Sequence, residues 1–409
     1  MLLSQQKRKT EQVEMAEEAC LCLFTYEELF VIKLSNLKKQ EDDVKDWTCL
    51  LPPPKIEFSL QLPEPDLCPF EFDSKIYMAV SSSPPLNLGR KPGCWRIYEF
   101  KFEERRIELA ESLDGVPAPL FRSSIANTPG SGDVYFYINP LVIDSGFYVL
   151  CPDSRVWKQL NPPPDYCQCP RDTYFAMFVL HNTVVLSSFT GRGTDSYLAH
   201  FDPIKETWTV EPDSDNNLSK FINARYNHGL ETGSCRATYP PQISVPLLGL
   251  GSNYTVCLAH DKYVDGPPLN TPLEKVFAIL VNHQNGRVAL YQYLDVFFEG
   301  FQPWMTDRAR VNLVDLGNGK VCAILSDELL DSGSESLAFC FSVFTLSLLE
   351  DFAALQLDSG APPMERDFLK VTVHRKCVYI MKNWNPSNYM RHVFVWPPTK
   401  GRRFYHSTG

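Results

Sequence analysis

The segment Asp46-Trp47-Thr48-Cys49-Leu50-Leu51-Pro52-Pro53-Pro54 returns as Val156-Trp157-Lys158-Gln159-Leu160-Asn161-Pro162-Pro163-Pro164, with Trp, Leu and three prolines at the same offsets. A looser echo adds a period. Tyr98, Tyr148 and Leu198 lie fifty positions apart, each in a short apolar run that ends in a polar turn and is followed by Ile107, Trp157 or Trp208. A chain that repeats at this interval builds one supersecondary unit several times and buries each unit against the next. The repeat therefore constrains the fold more than any single residue does.

Between these landmarks the chain reads as strands. Short apolar runs bounded by Gly, Asn, Asp, Ser and Pro recur throughout, and sustained helical periodicity is nearly absent. One helix is expected over residues 5–20, and residues 221–228 suit a short helix plugging a channel mouth. Six polar turns each lead into an apolar run, at 76–80, 134–138, 184–186, 254–258, 321–325 and 377–380. These read as second strands of six blades. The runs at 95–102, 147–151, 197–201, 276–281, 337–344 and 392–396 read as third strands. In Phe201-Asp202-Pro203-Ile204-Lys205-Glu206-Thr207-Trp208 and Cys151-Pro152-Asp153-Ser154-Arg155-Val156-Trp157, a turn built by Pro and Asp leads to an outer strand whose Trp covers the blade edge.

The fold expected is an all-β β-propeller with six blades. Residues 29–34 and 47–51 match a third and fourth strand, and pairing them with 368–373 and 377–381 would close the ring by joining N- and C-terminal strands. A strand at 403–406 would complete the last blade and give seven. Residues 1–20 are expected to be a tail or short helix, and 21–409 a single propeller domain.

At this point the chain resembles the kelch-repeat β-propellers, among them the divergent plant kelch-like and F-box-associated propellers. Tyr148 with Trp157, Tyr197 with Trp208, and the turn Phe201-Asp202-Pro203 carry the resemblance. It implies a propeller that recognises proteins. The sequence departs from the pattern in having no Gly-Gly doublet, and the residues before the first strand are too few for an F-box.

Composition bears on partners. The net charge of −10 and pI near 5.4 oppose a polyanion partner, since phosphate backbones are bound by clustered Lys and Arg. Lys7-Arg8-Lys9 and Arg402-Arg403 read as solvated charge. The thirteen cysteines form no C-x-x-C, and those at 22, 151, 257, 322, 340 and 377 lie in apolar strands, so they read as reduced structural thiols. The N-terminal residues run into charge without an apolar core, and no apolar stretch is long enough to span a bilayer as a helix. A cytoplasmic or nuclear protein without membrane contact is the expectation.

The function is expected to sit on loops. Connections at 83–93, 165–171, 213–241, 261–271, 327–335 and 383–390 are long and would emerge on one face, whereas the opposite connections should be turns of a few residues. That face would carry Arg90, Lys91, Arg192, Asp195, Arg225, Tyr226, Asn227, His228, Lys262, Tyr263, Trp304, Trp384, Asn385 and Tyr389, residue types that anchor interfaces. No catalytic, cofactor or metal motif occurs. H-E-x-x-H, G-x-S-x-G, G-x-x-x-x-G-K-[ST] and G-x-G-x-x-G are all missing, and His181, His200, His260 and His374 fit structural roles. The expectation is a non-catalytic, monomeric protein-interaction module, a scaffold or substrate-recognition propeller without cofactor. The competing reading is an enzyme with a pocket at the central channel, and a third is a structural protein lacking its partner module.

Overall fold

A computed structural model describes residues 19–25, 27–37, 51, 54–63, 67–81, 95–110, 113, 123–127, 132–138, 146–164, 173–180, 183–190, 197–211, 218–222, 235–238, 242–245, 247, 250, 253–264, 272–283, 285–296, 310–329, 336–352, 363–382, 390, 392–397 and 405–407. The protein is all-β: six antiparallel sheets stand in a ring, the arrangement of a six-bladed β-propeller. Two compact units divide it by contact, one of 1–65, 296–345 and 372–399, the other of 66–295, 346–371 and 400–409.

The first strands arise where apolar residues run without interruption. In β1 (Cys20–Phe24) every residue is buried, which suits a strand covered on both faces. Thr25 then accepts a hydrogen bond at Oγ1 from the Glu28 N–H (3.0 Å), and the chain reverses into β2 (Glu28–Lys33). The third element of this sheet, β3 (Ile56–Gln61), pairs with β2 and is the half-exposed outer strand.

The larger unit holds four sheets. In the first, β4 (Leu67–Phe72) turns into β5 (Lys75–Ser81) through Asp73 and Ser74, both in the left-handed region (φ 50° and 58°), as a two-residue hairpin turn demands. The strands β6 (Trp95–Lys101) and β7 (Arg106–Leu109) complete it. The second sheet consists of β8 (Ser123–Asn127), β9 (Val134–Ile138), β10 (Gly146–Leu150) and β11 (Trp157–Leu160), and the third of β12 (Thr173–Leu180), β13 (Thr183–Thr190), β14 (Leu198–Asp202) and β15 (Thr207–Val210). In the fourth, β16 (Cys235–Thr238) and β17 (Ile243–Val245) divide the first-strand position by pairing with the two ends of β18 (Tyr254–Val264), and β19 (Pro272–Asn282) and β20 (Arg287–Leu294) follow.

Indole rings join the first three of these sheets. Trp157 packs edge-on against Phe70 (6.2 Å) and Phe136 (6.1 Å) and donates Nε1–H to the carbonyl of Leu113, beyond β7 (3.1 Å). Trp208 repeats the arrangement one blade on, with Phe147 (4.9 Å), Phe201 (5.1 Å) and the carbonyl of Asn161 beyond β11 (2.9 Å). Both outer-strand Trp residues therefore staple their blade to the preceding one, which goes beyond the edge cover expected of them. The echo itself is a register: Ile107, Trp157 and Trp208 each stand opposite the end of their third strand, at Phe100, Leu150 and Phe201.

Most of the sheet β21 (Arg310–Gly317), β22 (Lys320–Leu329), β23 (Ser336–Leu348) and β25 (Leu369–Lys382) belongs to the smaller unit. Before β25, the short β24 (Met364–Glu365) lies within the larger unit and pairs in parallel with β20 of its fourth sheet. The sheet of β1 to β3 is completed by β26 (His392–Trp396), whose five residues pair with all five of β1. This is the joining of chain ends that closes the ring. A last strand, β27 (Tyr405–Ser407), pairs with β8.

Several expectations need correction. Residues 377–380 belong to the fourth strand of a sheet, not to a second strand, and 392–396 form the first strand of the closing blade, not a third. The closing partner of that strand is β1, and 29–33 pair instead with β1 and β3 while Leu34 begins a 3-10 turn. The fourth-strand place expected of 47–51 is taken by β3. Leu51 instead bridges to β25, its N–H donating to the Val378 carbonyl (2.9 Å) and its carbonyl accepting from Ile380 (3.2 Å). The strand near 403–406 exists at Tyr405–Ser407, yet it extends the β8 sheet and makes no seventh blade. Two of the connections expected to be tight are long, at 34–55 after β2 and 349–368 after β23. The helix expected over 5–20 lies outside the described residues up to 18, and Cys20 already begins β1. Of the helix expected at 221–228, only 221 and 222 are described, and they are helical, as are 218–220.

Candidate functional site

Successive strands of an antiparallel sheet alternate in direction, so connections between second and third strands leave each sheet at one end. In the fourth sheet of the larger unit that end is built up. The pairing of β18 with β19 covers eleven residue pairs, from Tyr254 with Asn282 to Val264 with Pro272. The outer strand β20 pairs with β19 only from Val276 to Asn282. Four pairs, Asp261 with Lys275, Lys262 with Glu274, Tyr263 with Leu273 and Val264 with Pro272, thus run past the outer strand. On the other side β16 flanks the same four residues, with Arg236 opposite Tyr263. A three-stranded ledge results.

Its root is polar and satisfied. Asp261, the first residue beyond the four-stranded part, is fully buried and accepts a hydrogen bond at Oδ2 from the Tyr293 hydroxyl (2.9 Å). The Lys275 ammonium lies 5.5 Å from the centroid of that tyrosine ring, a cation over an aromatic face. The hydrogen bond offsets the cost of taking a carboxylate out of water. His260, also buried, meets Gln242 Nε2 through Nδ1 (3.2 Å). Adjacent residues of a strand point to opposite faces, so His260 and Asp261 do not aim at one point. In the smaller unit the hairpin of β22 and β23 has a similar end: Asp327 is buried, follows the last residue paired with β21, and begins three pairs that run past that strand. The sequence reading placed Asp261 and Asp327 at the start of loops. Both are strand residues, and an Asp that closes an otherwise apolar run, as in Val256-Cys257-Leu258-Ala259-His260-Asp261, was the signal that could have shown it.

A second buried polar pair lies between the third and fourth sheets. His200 on β14 has its Nε2 3.9 Å from Glu211 Oε1, beyond hydrogen-bonding distance, and this nitrogen has no hydrogen-bond partner among the described residues. Burial pushes its imidazole down to about 4. Burial raises the Glu211 carboxyl, and the nearby Arg287 guanidinium partly offsets that. The turn facing His200 carries Gly286 (φ 63°), where a Cβ would come within 2.7 Å of Leu198 and 3.1 Å of the imidazole. Only glycine allows that approach.

Of the residues expected to form the interaction face, Tyr263 is placed, on the ledge. Lys262 is beside it. Arg90, Lys91, Arg192, Asp195, Arg225, Tyr226, Asn227, His228, Trp304, Trp384, Asn385 and Tyr389 lie outside the described residues. Part of the expected 213–241 connection is regular, since it contains the turn at 218–222 and β16. His374 lies in β25, within 2.6 Å of the Thr345 hydroxyl, and not in a turn entering a second strand. The cysteines at 20, 22, 68, 151, 257, 322, 340 and 377 are not in disulfides. Burial raises the Cys22 and Cys322 thiols and pushes Cys377 up to about 12. Among the described residues no group of three His, Cys, Asp or Glu side chains could hold a metal ion, and no helix is long and apolar enough to cross a membrane.

No described protein family and no curated protein matches the sequence. Among solved structures the chain is similar to TolB from Acinetobacter baumannii (10% identity, TM-score 0.35, 78% of this chain and 60% of that one). It is similar also to MPT-4, a mannose phosphorylase from Leishmania mexicana (11%, 0.31, 63% and 78%), and to MPT-1, a GDP-Man-dependent mannosyltransferase of the same organism (11%, 0.30, 63% and 78%). The chain thus spans 60% of the length of the TolB chain it matches.

Proposed function

We propose that this protein is a non-catalytic protein-interaction module, a scaffold or substrate-recognition propeller of divergent kelch-like type, that acts as a monomer in the cytoplasm or nucleus. The observation that carries the reading is the ledge of β16, β18 and β19. It continues four residue pairs beyond the outer strand, with Lys262 and Tyr263 among its paired positions, at the sheet end from which the 265–271 connection leaves. A backbone held by pairing on both sides of β18 is preorganised, so a partner bound there has little ordering entropy to overcome. The net charge of −10 favours a protein partner over a nucleic acid.

The test is quantitative partner capture with three full-length chains: the parent, Tyr263→Ala, and Ile204→Glu, whose parent residue is 94% exposed in the tight turn before β15, at the other end of its sheet. Partners should fall at least about tenfold for Tyr263→Ala, as for an aromatic anchor, and remain for Ile204→Glu. Equal capture by all three chains would remove the ledge from the recognition surface.

A further inference from the structure

We infer that the outer side of β8 is a strand-addition site for an extended basic segment of a partner protein, and that the chain's own residues 405–407 hold that site in cis. This rests on the reading of the protein as an interaction module and names the chemistry of one partner.

The observation is topological. Among the described residues, β8 is the one first strand of the larger unit with a further strand on its outer flank: Tyr405 pairs with Ala126, His406 with Ile125 and Ser407 with Ser124. The added strand also lies beside β12, so it occupies the cleft between the first strands of two successive sheets. Its three pairs compare with five between β8 and β9 and eight between β12 and β13. So short a pairing gains few hydrogen bonds against the entropy of ordering the segment. It persists because the tether keeps the local concentration of the segment high. Main-chain pairing of this kind accepts any extended sequence, and specificity comes from what flanks it. Here the flank is Lys400-Gly401-Arg402-Arg403-Phe404, which carries three positive charges. Removing those three from a net of −10 leaves −13 on the remainder, a field that draws in a basic segment.

The probe is a fluorescein-labelled synthetic peptide of residues 400–409, followed by anisotropy against two full-length proteins. One is the parent and the other carries Tyr405→Pro and Ser407→Pro, which remove backbone donors from the cis strand. The peptide should bind the proline variant saturably and at least roughly tenfold more tightly than the parent, the factor by which a tethered competitor in the millimolar range masks a site of about 100 μM affinity. A peptide N-methylated at 405–407 should not bind, and one with Arg402→Glu and Arg403→Glu should bind at least about tenfold more weakly. Equal binding to both proteins, no saturable binding to the proline variant, or undiminished binding of either altered peptide would overturn the inference. So would a proline variant that fails to fold, because the strand would then be a fixed part of its sheet. A chain that loses partners on Tyr263→Ala yet ignores the peptide keeps the proposed function and loses this inference. The reverse outcome separates the two in the other direction.

Discussion

The third-to-fourth strand connections divide the molecule into two kinds. Between β6 and β7 and between β14 and β15 they are four residues long, and between β10 and β11 six, each with a residue in the left-handed region just before the outer strand or one position earlier: Arg105 (φ 51°), Glu206 (φ 52°) and Arg155 (φ 54°). After β2 and β23 the equivalent connections run over 34–55 and 349–368, and they are used as straps. Leu51 adds to the edge of β25, Arg375 donates Nη1 hydrogen bonds to the carbonyls of Leu34 (2.6 Å) and Leu37 (3.3 Å), and β24 adds to β20. Tight blades are joined by side chains, chiefly the stapling indoles. The straps are held through their backbone groups, by strand pairing and by the side chains of Arg375 and Gln292, the latter bonding Phe368 and Leu369.

The largest test of that difference removes one joint of each kind. Trp208→Ala deletes an indole that touches two phenylalanines and hydrogen-bonds the neighbouring blade. It should cost about 3 kcal/mol, the lower end for an aromatic truncated to alanine because the ring is only half-buried. Arg375→Ala leaves the strap its own backbone pairing at Leu51 and should cost about 1.5 kcal/mol, the scale of one charge-assisted hydrogen bond. Urea unfolding of both variants measures the two costs. If Arg375→Ala proves the more damaging, the straps rely on side chains after all.

The same contrast shows why part of the fold was legible. Where turns are tight, each blade occupies a near-constant length, and first strands begin at 67, 123 and 173, so the echo of Tyr98, Tyr148 and Leu198 marks real register. Later first strands begin at 235, 310 and 392, and the echo fades as connections lengthen. The Trp-Leu-Pro-Pro-Pro repeat misled for a related reason. Trp157 and Leu160 begin and end an outer strand, whereas Leu51 lies in a strap, so similar sequence serves two local structures. A short apolar run carries no mark of which neighbour it will pair with. That is why 377–380 and 392–396 read as consecutive strands of one blade although they belong to different sheets. The ledge was hidden because polar residues were read as the end of strands, and Asp261 continues one with its carboxylate satisfied by Tyr293.

An acid titration sharpens the comparison within the tightly turned region. His200 has a folded-state value near 4 against an ordinary 6.5, so the unfolded chain takes up a proton first as pH falls. Its contribution is complete above about pH 6.5 and is lost progressively toward pH 4, to about 3 kcal/mol. Glu211 works in the opposite sense, because a raised carboxyl pKa makes the folded state take up its proton first. Unfolding free energy measured from pH 7 to pH 4.5 should fall less steeply for His200→Gln than for the parent. An unchanged slope would place the acid sensitivity elsewhere.

The smallest effect expected is a gain. Arg105 closes a four-residue turn in the left-handed region, its N–H bonded to the Phe102 carbonyl (3.1 Å), a conformation that costs a side-chain-bearing residue about 1 kcal/mol and glycine almost nothing. Arg105→Gly should remove that strain and lose a few tenths of a kcal/mol to the greater freedom of glycine in the unfolded chain. The backbone terms together favour glycine by about 0.5 kcal/mol, read as a higher urea midpoint at constant slope for Arg105→Gly than for Arg105→Ala, both of which lack the guanidinium. The same change at Arg155 has the opposite sign. That guanidinium donates to the Tyr77 hydroxyl (3.3 Å), lies 3.5 Å from the Asp73 carboxylate and sits 5.9 Å from the centroid of Phe72, so Arg155→Gly forfeits contacts with the preceding blade. Two arginines at equivalent turns with opposite responses to glycine would separate backbone strain from blade-to-blade stapling. Stabilisation at both turns would mean that the guanidinium contacts of Arg155 contribute less than the strain its backbone carries.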